Sequence, residues 1–369
     1  MRYLRQKKFE IDTVIQVVQH MRPGGIETMA LDLADFCEQH ERTFIISLEG
    51  DIESAIHHWP RLKPVADRLI FLGKKPGLAP VLIFRLSQLF KKLKAGTVHT
   101  HHIGPLLYAG MAARLSRIKC LIHTEHDAWH LNDPRQRNLQ RWAVRLIQPQ
   151  LVADANSVAD GMRQQLHYTK DIRVIHNGID TERFIPGDQR KARQYFALPQ
   201  NVEIIGCSGR MEEVKGQKTL IYALTQLPHT IHLALAGTGS TETGLRHLVQ
   251  TLGLNSRVHF LGRIDEMPTF YQTLNIFCLP SLNEGLPLSP LEAQACGIPT
   301  VVTNVGGSRE TLCPASGMLI PAGDVDAMAS TLCRMLNQPH ETSPRHFVQQ
   351  HGDVRMMARG YATLRHAGG

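Results

Sequence analysis

The chain repeats one pattern: a short apolar run, a turn, and then a segment whose apolar residues recur at helical spacing. In the first half, the apolar runs are residues 11–20, 43–50, 67–73, 97–102, 120–126 and 151–156. In the second half they are residues 202–209, 231–237, 257–262, 275–280 and 299–303. The runs are rich in β-branched residues, which predicts strands, and the periodic segments between them predict helices.

This alternation predicts an α/β fold in which helices cover both faces of parallel sheets. Residues 173–188 break the rhythm because they hold turn residues and no helical pattern, so we expect one domain to end there. The two halves resemble two copies of one architecture. In such folds, ligands bind beyond the carboxyl ends of the strands.

Composition fits this picture. The chain has 369 residues, of which 43% are hydrophobic and 20% charged, as expected for two soluble globular domains. No run approaches the ~20 apolar residues that span a bilayer. Residues 1–12 are charged and lack the apolar core of a signal peptide, so we expect a cytoplasmic protein. The seven cysteines form no CxxC pair and are predicted to be reduced core thiols.

The positive charge is uneven. Residues 1–184 hold 26 Lys and Arg against 19 Asp and Glu, whereas the remainder holds 15 against 14. Such an excess could face nucleic acid, an anionic membrane or an anionic substrate. The predicted helix at residues 79–94 carries Lys91, Lys92 and Lys94 beside apolar residues. It is either an ordinary domain helix with a solvated end or an attachment to an anionic membrane.

The most informative stretch is residues 281–303, SLNEGLPLSPLEAQACGIPTVVT. Glu284 falls in a loop after a predicted strand. Ser289 is predicted to cap a helix, with Glu292 completing the capping box three residues later. Gly297 and Pro299 are predicted to end that helix. The pattern therefore places one carboxylate in the loop and one in the first helical turn.

Paired carboxylates suit hydroxyl-rich ligands because each oxygen accepts a hydrogen bond. The free N–H groups of a helix N-terminus favour a phosphate. Together these features predict a nucleotide-sugar pocket. In the alternative interpretation, Glu292 only completes the capping box and Glu284 only belongs to a loop.

This segment resembles the glutamate–seven–glutamate motif of retaining glycosyltransferase family 4, also known as glycosyl transferases group 1, a family with the GT-B fold. Other segments resemble family motifs in the same order: HMRPGGIETMALDLA (20–34), HTHH (99–102), HTEHD (123–127), NGID (177–180) with Phe184, Gly209-Arg210 with Lys215-Gly216, and FLGRIDEM (260–267). Each motif alone is weak, whereas the ordered set is specific.

The resemblance implies two doubly wound Rossmann-like domains facing across a cleft. Residues 1–184 would bind the acceptor, residues 185–348 the nucleotide sugar, and residues 349–369 would form a helix returning to the first domain. The implied activity is retaining transfer from a nucleoside diphosphate sugar, with UDP a better expectation than GDP. The acceptor would be a glycan or a lipid-linked molecule of surface-polysaccharide or glycolipid synthesis. The implied location is cytoplasmic, with peripheral contact at the inner face of the plasma membrane, and no nucleic-acid partner is expected.

The resemblance also implies roles for single residues. Glu284 would contact hydroxyls of the donor sugar, and Glu292 the ribose. Arg210 and Lys215 would stabilise the charge that develops on the leaving phosphate. The remaining implied contacts are with sugar, phosphate or base, mostly through the main chain: Gly24, Gly25, Arg263, Ile264, Gly285, Leu286, Pro287 and Leu288. Proline itself has no N–H to offer.

Histidines crowd the two predicted strand ends of the first half. The resemblance implies that His126 contacts acceptor or sugar hydroxyls, with His123 as the rival. A metal site there is not expected, because no H-x-x-x-H spacing or cysteine partner accompanies the histidines. Asp324 and Asp326 mimic a metal-binding DxD motif, but Asp324 is predicted to be a helix cap. We therefore expect no metal and no cofactor.

Two other functions compete with glycosyl transfer. One is a nucleotide-sugar epimerase on the same fold, against which the 177–184 and 209–216 motifs argue. The other is a catalytically silent subunit that binds sugar nucleotides. Release of a nucleoside diphosphate on adding an acceptor would separate the cases.

Overall fold

The computed structural model describes residues 12–337 and 343–367, so the charged segment 1–11 lies outside the described residues. The chain divides into two compact units. The first comprises the residues up to His176 together with those from Met357 onward, and the second comprises Asn177–Met356. These limits differ by eight residues at each boundary from the predicted domain limits, because Ile179 and Phe184 belong to the apolar core of the second unit.

The first unit contains a seven-stranded sheet in the order β3-β2-β1-β4-β5-β6-β7. Every pairing between neighbouring strands is parallel. The strands are β1 Asp12–Val18, β2 Glu41–Ser47, β3 Leu69–Phe71, β4 Ala95–His101, β5 Cys120–Glu125, β6 Gln150–Ala153 and β7 Ile172–Val174. Parallel order requires a crossover after each strand.

Helices supply those crossovers. They are α1 Gly25–Asp35, α2 Ile52–His58, α3 Val81–Lys92, α4 Ile103–Pro105, α5 Met111–Leu115, α6 Pro134–Ile147 and α7 Asn156–Leu166. A π-helical segment, Leu106–Gly110, joins α4 to α5, and 3₁₀ turns span Pro60–Arg68 and Trp129–Asn132. Buried Leu31 of α1 belongs to one apolar cluster with Val18, Ile45 and Leu62.

The second unit contains a six-stranded sheet in the order β10-β9-β8-β11-β12-β13, again with parallel pairings. Its strands are β8 Glu203–Ser208, β9 Ile231–Ala236, β10 Val258–Gly262, β11 Ile276–Leu279, β12 Thr300–Thr303 and β13 Gly317–Ile320. Its helices are α8 Gln189–Tyr195, α9 Gln217–Thr225, α10 Glu242–Thr251, α11 Met267–Gln272, α12 Ser289–Ala295, α13 Val325–Asn337 and α14 Arg345–His351. Alternate strand residues pack on opposite faces, as Ile204 and Ile205 do.

The last helix, α15 Val354–Ala367, begins in the second unit and continues in the first. Its Tyr361 is fully buried and its hydroxyl lies 2.9 Å from Thr124 Oγ1 on β5. Arg365 forms two charge-assisted hydrogen bonds, of 2.6 and 2.7 Å, with the buried carboxylate of Glu41. These contacts fix the end of the chain onto the sheet of the first unit.

Two sheets of parallel strands flanked by helices confirm the predicted fold class of two Rossmann-like units. All six buried-strand runs predicted in the first half and all five in the second are strands in the structure. No helix among the described residues is long and apolar enough to cross a membrane.

Candidate functional site

Two loops meet at the carboxyl edge of the second sheet. One follows β8 and the other follows β11, which are neighbours in the sheet. The N–H of Leu282 donates to the carbonyl of Val214 at 2.8 Å, which fixes the loops side by side. Gly216 has φ +65°, and a Cβ there would overlap the carbonyl oxygen of Pro280. The sequence Lys215-Gly216 therefore needs glycine for this close approach.

This approach brings Lys215 and Glu284 together. Lys215 Nζ lies 2.6 Å from Glu284 Oε1, and the hydroxyl of Ser281 donates to the same oxygen at 2.6 Å. The Glu284 side chain is 8% exposed and the Lys215 side chain 21%. One carboxylate oxygen is thus anchored by two donors, so the orientation of Glu284 is set before any ligand arrives.

Glu292 lies in the first turn of α12, as predicted, but its partner was not foreseen. Its Oε2 accepts a 2.6 Å hydrogen bond from the hydroxyl of Tyr271 on α11, and that hydroxyl lies 3.0 Å from Ser208 Oγ. Burial, and next the charge of Glu292, raise the pKa of Tyr271 well above its usual range. Tyr271 therefore remains a donor at neutral pH and holds Glu292 at the end of β8.

The predicted capping box at Ser289 is wrong. The cap residue is Leu288, and no side chain caps the helix. The Glu292 carboxylate instead accepts a hydrogen bond from Tyr271 on the neighbouring helix α11.

Apart from Gly24 and Gly25, which belong to the first unit, the other residues predicted to contact the donor lie at the same edge of the second sheet. Arg210 is exposed directly after β8, where Gly209 has φ +138°. Exposed Arg263 and half-buried Ile264 follow β10, two strands away from β8 in the sheet order. Leu286 and Pro287 are buried, Gly285 and Leu288 half-buried, and Gly285 accepts from Gly307 N–H at 2.8 Å. Lys215 and Glu284 therefore contact each other, whereas Arg263 lies at a separate point of the carboxyl edge of the second sheet.

A row of polar side chains crosses four neighbouring strands at the carboxyl edge of the first sheet. Gln16 Oε1 on β1 lies 2.9 Å from His101 Nε2 on β4. His101 Nδ1 lies 3.1 Å from His126 Nε2 after β5, and His126 Nδ1 lies 3.3 Å from Asp154 Oδ2 after β6. All four residues are at most 6% exposed. Burial lowers the pKa of His101 well below its usual range and raises the pKa of Asp154.

The two rival histidines differ in position. His126 follows the end of β5, whereas His123 lies inside β5, fully buried, with Nδ1 3.0 Å from Thr100 Oγ1 and Nε2 3.5 Å from Glu125 Oε2. This position favours His126 for contact with a ligand. His102 stands beside it, with ring centroids 5.8 Å apart and a left-handed φ of 67°. Such a conformation is rare for a residue with a side chain and is found often at functional sites.

A second polar network lies beneath this row. The carboxylate of Glu125 accepts from the amide of Gln140, and Gln140 Oε1 lies 2.8 Å from His130 Nε2. His130 Nδ1 lies 2.7 Å from Asp127 Oδ1. Burial alone would raise the pKa of Glu125, yet the contact with His123 and the nearby His130 and His102 lower it to about 2. Burial alone would lower the pKa of His130, but the hydrogen bond with Asp127, the charge of Glu125 and the hydrogen bond with Gln140 together raise it to about 9.

Gly24 and Gly25 begin α1, as the predicted phosphate contact requires. The buried carboxylate of Glu27, however, lies against Gly24 and pairs with His20 Nδ1 at 3.2 Å. The hydrogen bond that the Glu27 carboxylate accepts from His20 raises the pKa of His20. A carboxylate thus already occupies the positive end of this helix, and a phosphate contact at Gly24 and Gly25 stays a prediction.

Potential metal ligands converge elsewhere. Among the described residues, ligand atoms of Glu38, His40 and His366 lie within 4.8 Å of one another. This group contains none of the histidines in the segments 99–102 and 123–127. Asp324 caps α13, because its Oδ1 accepts from the N–H of Ala327 at 2.9 Å, and the predicted cap is confirmed.

Sequence reasoning missed several residues of both edges. Tyr271, Ser208, Ser281, Gln16 and Asp154 were not singled out. All of them except Ser281 have partners that lie far away along the chain, whereas Ser281 contacts Glu284 only three residues later. A polar residue at the carboxyl end of a buried strand is the one signal that could have indicated Ser208 and Asp154.

Comparison with known protein families accounts for almost the whole chain. The profile described as Glycosyltransferase Family 4 matches residues 23–183, and the profile described as Glycosyl transferases group 1 matches residues 188–351. The D-inositol 3-phosphate glycosyltransferase of Mycolicibacterium paratuberculosis is 30% identical over 264 residues, covering 66% of this chain and 59% of that protein. The UDP-Gal:alpha-D-GlcNAc-diphosphoundecaprenol alpha-1,3-galactosyltransferase of Escherichia coli is 28% identical, covering 69% of each.

A third relative is a GDP-mannose-dependent mannosyltransferase of Corynebacterium glutamicum, 33% identical over 45% of this chain and 47% of that protein. The matched regions span 47–61% of the length of the first three curated relatives. Among solved structures, Anabaena HepE in complex with UDP superposes with a TM-score of 0.82 and 22% identity, covering 95% of this chain and 98% of that one. At that identity, the likeness shows the fold alone.

Proposed function

The chain belongs to glycosyltransferase family 4, and we propose that it transfers a sugar, with retention of configuration, from a nucleoside diphosphate donor to a glycan or lipid-linked acceptor. The observation that carries this proposal is that the pair of Lys215 and Glu284 and the carboxylate of Glu292, which accepts from Tyr271, lie at the same carboxyl edge of the second sheet. These groups combine a cation for a diphosphate with two oriented carboxylates for hydroxyls.

In this proposal the second unit binds the donor. Glu284 accepts hydroxyls of the sugar, and Glu292 accepts those of the ribose. Lys215 and exposed Arg210 neutralise the diphosphate, whose charge grows as the glycosidic bond breaks. Arg263 and Ile264 hold the base, and the main chain of residues 285–288 faces the sugar and diphosphate.

The step we propose is substitution on one face of the sugar. The bond from the anomeric carbon to the diphosphate oxygen breaks, and the bond to the acceptor oxygen forms on the same face. The proton of the acceptor hydroxyl passes to the departing diphosphate. Glu284 is better suited to orienting the sugar than to attacking it, because one of its oxygens already accepts from Lys215 and Ser281.

The first unit is proposed to bind the acceptor, with His126 contacting acceptor or sugar hydroxyls. The row from Gln16 through His101 to Asp154 fixes the ring plane of His126. Relatives whose names specify inositol phosphate and diphosphoundecaprenol acceptors support a glycan or lipid-linked acceptor. Their donors include UDP-galactose and GDP-mannose, so we propose UDP as the nucleotide and test GDP beside it.

The test begins with thermal-shift measurements against UDP, GDP and ADP, and continues with the sugar nucleotides of the base that stabilises the chain. We expect release of the nucleoside diphosphate to depend on acceptor. Nucleotide binding without release under any acceptor would indicate a silent binding subunit. Conversion of the donor sugar without acceptor would indicate an epimerase.

A further inference from the structure

Three potential metal ligands come together where the end of α15 lies beside the turn that follows α1. Glu38 and His40 belong to this turn, and His366 belongs to the last turn of α15. One ligand atom of each residue lies within 4.8 Å of those of the other two, although Glu38 and His366 are 328 positions apart in the chain. All three residues belong to the first unit.

The atoms that converge are two imidazole nitrogens and one carboxylate oxygen. Glu38 Oε2 lies 3.1 Å from His366 Nε2 and 3.3 Å from His40 Nε2. Two ligands held about 2.0–2.1 Å from a tetrahedral zinc ion are about 3.3–3.4 Å apart, which follows from the tetrahedral angle. Both separations are therefore close to the edge of a zinc coordination tetrahedron.

A cluster held by hydrogen bonds alone is the alternative. Charge-assisted hydrogen bonds between a nitrogen and a carboxylate are about 2.7–2.9 Å long. The neighbouring pair of Arg365 and Glu41 has lengths of this kind, 2.6 and 2.7 Å. The contacts of Glu38 with the two imidazoles are longer, and both end on the same oxygen. The spacing therefore favours an ion between three ligands over two hydrogen bonds to one carboxylate.

The backbone that carries the ligands is fixed without any ion. The N–H of Glu38 donates to Glu41 Oε2 at 3.2 Å, and the N–H of Glu41 donates to the carbonyl of Glu38 at 2.9 Å. The carbonyl of His40 accepts from the N–H of Asp12 on β1 at 3.0 Å. On the helix, Arg365 binds the buried carboxylate of Glu41. Because both segments are already held together, little ordering remains to oppose the binding of an ion.

The ligand atoms select the class of ion. Imidazole nitrogen suits zinc, copper and nickel, whereas magnesium and calcium prefer oxygen ligands. Two imidazoles with one carboxylate are also a recurrent zinc ligand set. The side chains of Glu38, His40 and His366 are 40%, 34% and 58% exposed. An ion can therefore enter from solvent, and water can complete its coordination.

We propose that Glu38, His40 and His366 bind a divalent ion of the zinc class, which ties the last turn of α15 to the turn between α1 and β2. The ion acts on the structure and takes no part in sugar transfer, because neither the donor residues nor the row from Gln16 to Asp154 contributes a ligand. The site is also separate from the strand-end histidines and from Asp324 and Asp326, at which no metal is expected. The proposal therefore does not depend on the proposed function.

The test uses the untagged full-length protein after removal of metal with EDTA and dialysis. Calorimetric titration with Zn²⁺ is compared with titration with Mg²⁺, and we expect a single saturable site for Zn²⁺ and none for Mg²⁺. Saturating Zn²⁺ should raise the melting temperature by several degrees, because the ion binds the native chain more tightly than the unfolded one. It should also slow amide hydrogen exchange in residues 363–367, since helix ends otherwise open with little free energy.

Glu38→Gln, His40→Gln and His366→Gln each replace a ligand by a polar side chain that can still form hydrogen bonds. Loss of a second-shell partner already weakens metal binding about 10–100-fold, so loss of a ligand should weaken Zn²⁺ binding by more than about tenfold. Exposed ion pairs contribute little to stability, so in EDTA the three variants should melt at the wild-type temperature. That comparison separates a lost ligand from a damaged fold.

Two controls address other ligands of the first and second units. His57→Gln/His58→Gln removes an exposed imidazole pair on α2, whose ring centroids are 5.3 Å apart and which belongs to no group of three ligands in the described residues. Cys37→Ser/Cys333→Ser removes two half-buried free thiols. Both double variants should bind Zn²⁺ with wild-type affinity.

Absence of saturable Zn²⁺ binding in the wild type would overturn the proposal, as would equal Zn²⁺ affinity in the wild type and the three glutamine variants. Binding that is lost in either control but retained in the glutamine variants would place the ion elsewhere and also overturn it. Unchanged exchange in residues 363–367 on addition of Zn²⁺ would contradict it too, because an ion shared by both segments must hold the last turn of α15.

Discussion

The hydroxyl of Tyr271 offers a test of how the second glutamate is held. Tyr271→Phe removes one oxygen atom and leaves the fully buried ring among its neighbours Phe184, Phe270 and Phe277. It deletes the 2.6 Å donor to Glu292 and the contact with Ser208. Because the ring stays, packing is preserved, and the change isolates the hydrogen bond.

The magnitude follows from the charge of the acceptor. Hydrogen bonds to charged groups contribute about 1.5–3 kcal/mol, roughly twice those between neutral groups. If the bond orients Glu292 for the ribose, losing about 1.5 kcal/mol of that orientation weakens nucleotide binding roughly tenfold. Ser208 also loses a buried partner, which should cost about 1 kcal/mol of unfolding free energy.

The assay is calorimetric titration with UDP and GDP at neutral pH, beside denaturant unfolding. Tyr222→Phe is the matched control, because Tyr222 lies on α9, away from Glu292. The Thr225 hydroxyl donates to the backbone carbonyl of Tyr222, and the substitution leaves that carbonyl in place. We expect a tenfold rise in Kd for Tyr271→Phe alone. Wild-type nucleotide affinity in Tyr271→Phe, together with the expected small loss of stability, would refute the idea that this bond serves the nucleotide site.

Three further outcomes are expected. Gly216→Ala should lose turnover and about 1 kcal/mol more stability than Gly253→Ala, because both glycines have positive φ but only a Cβ at Gly216 overlaps backbone, that of Pro280; equal denaturation midpoints would contradict this. The pKa of His130 is raised from 6.5 to about 9, so its contribution to stability should be complete below pH 6.5 and disappear as pH rises through about 9. The difference in unfolding free energy between the wild type and His130→Gln should therefore become smaller as the pH is raised across that range. Glu292→Ala should weaken nucleotide binding, whereas Glu284→Ala should mainly lower kcat, and unchanged values in both would refute the two roles.

Much of the fold follows from local signals. Buried strands such as Ile276–Leu279 are short apolar runs bounded by turn residues, and helices between them keep their spacing. The placement of Glu284 in a loop and of Glu292 in a first turn also follows from local chemistry, because Gly285, Pro287 and Gly297 limit where a helix can run.

The sequence predictions that failed concern side chains whose partners are distant in the sequence. Local pattern assigned Glu292 to a capping box, but Tyr271, 21 residues earlier, competes for the carboxylate. The row from Gln16 to Asp154 joins residues up to 85 positions apart, and only the strand order brings them together.

The central claim is that the carboxyl edge of the second sheet binds the nucleoside diphosphate of the donor. A crystal structure of the protein with UDP, or with the nucleotide that thermal shift selects, tests it most directly. We predict ribose hydroxyls within hydrogen-bonding distance of Glu292 and the diphosphate in contact with Arg210 and Lys215. A nucleotide bound away from these three side chains would contradict the account.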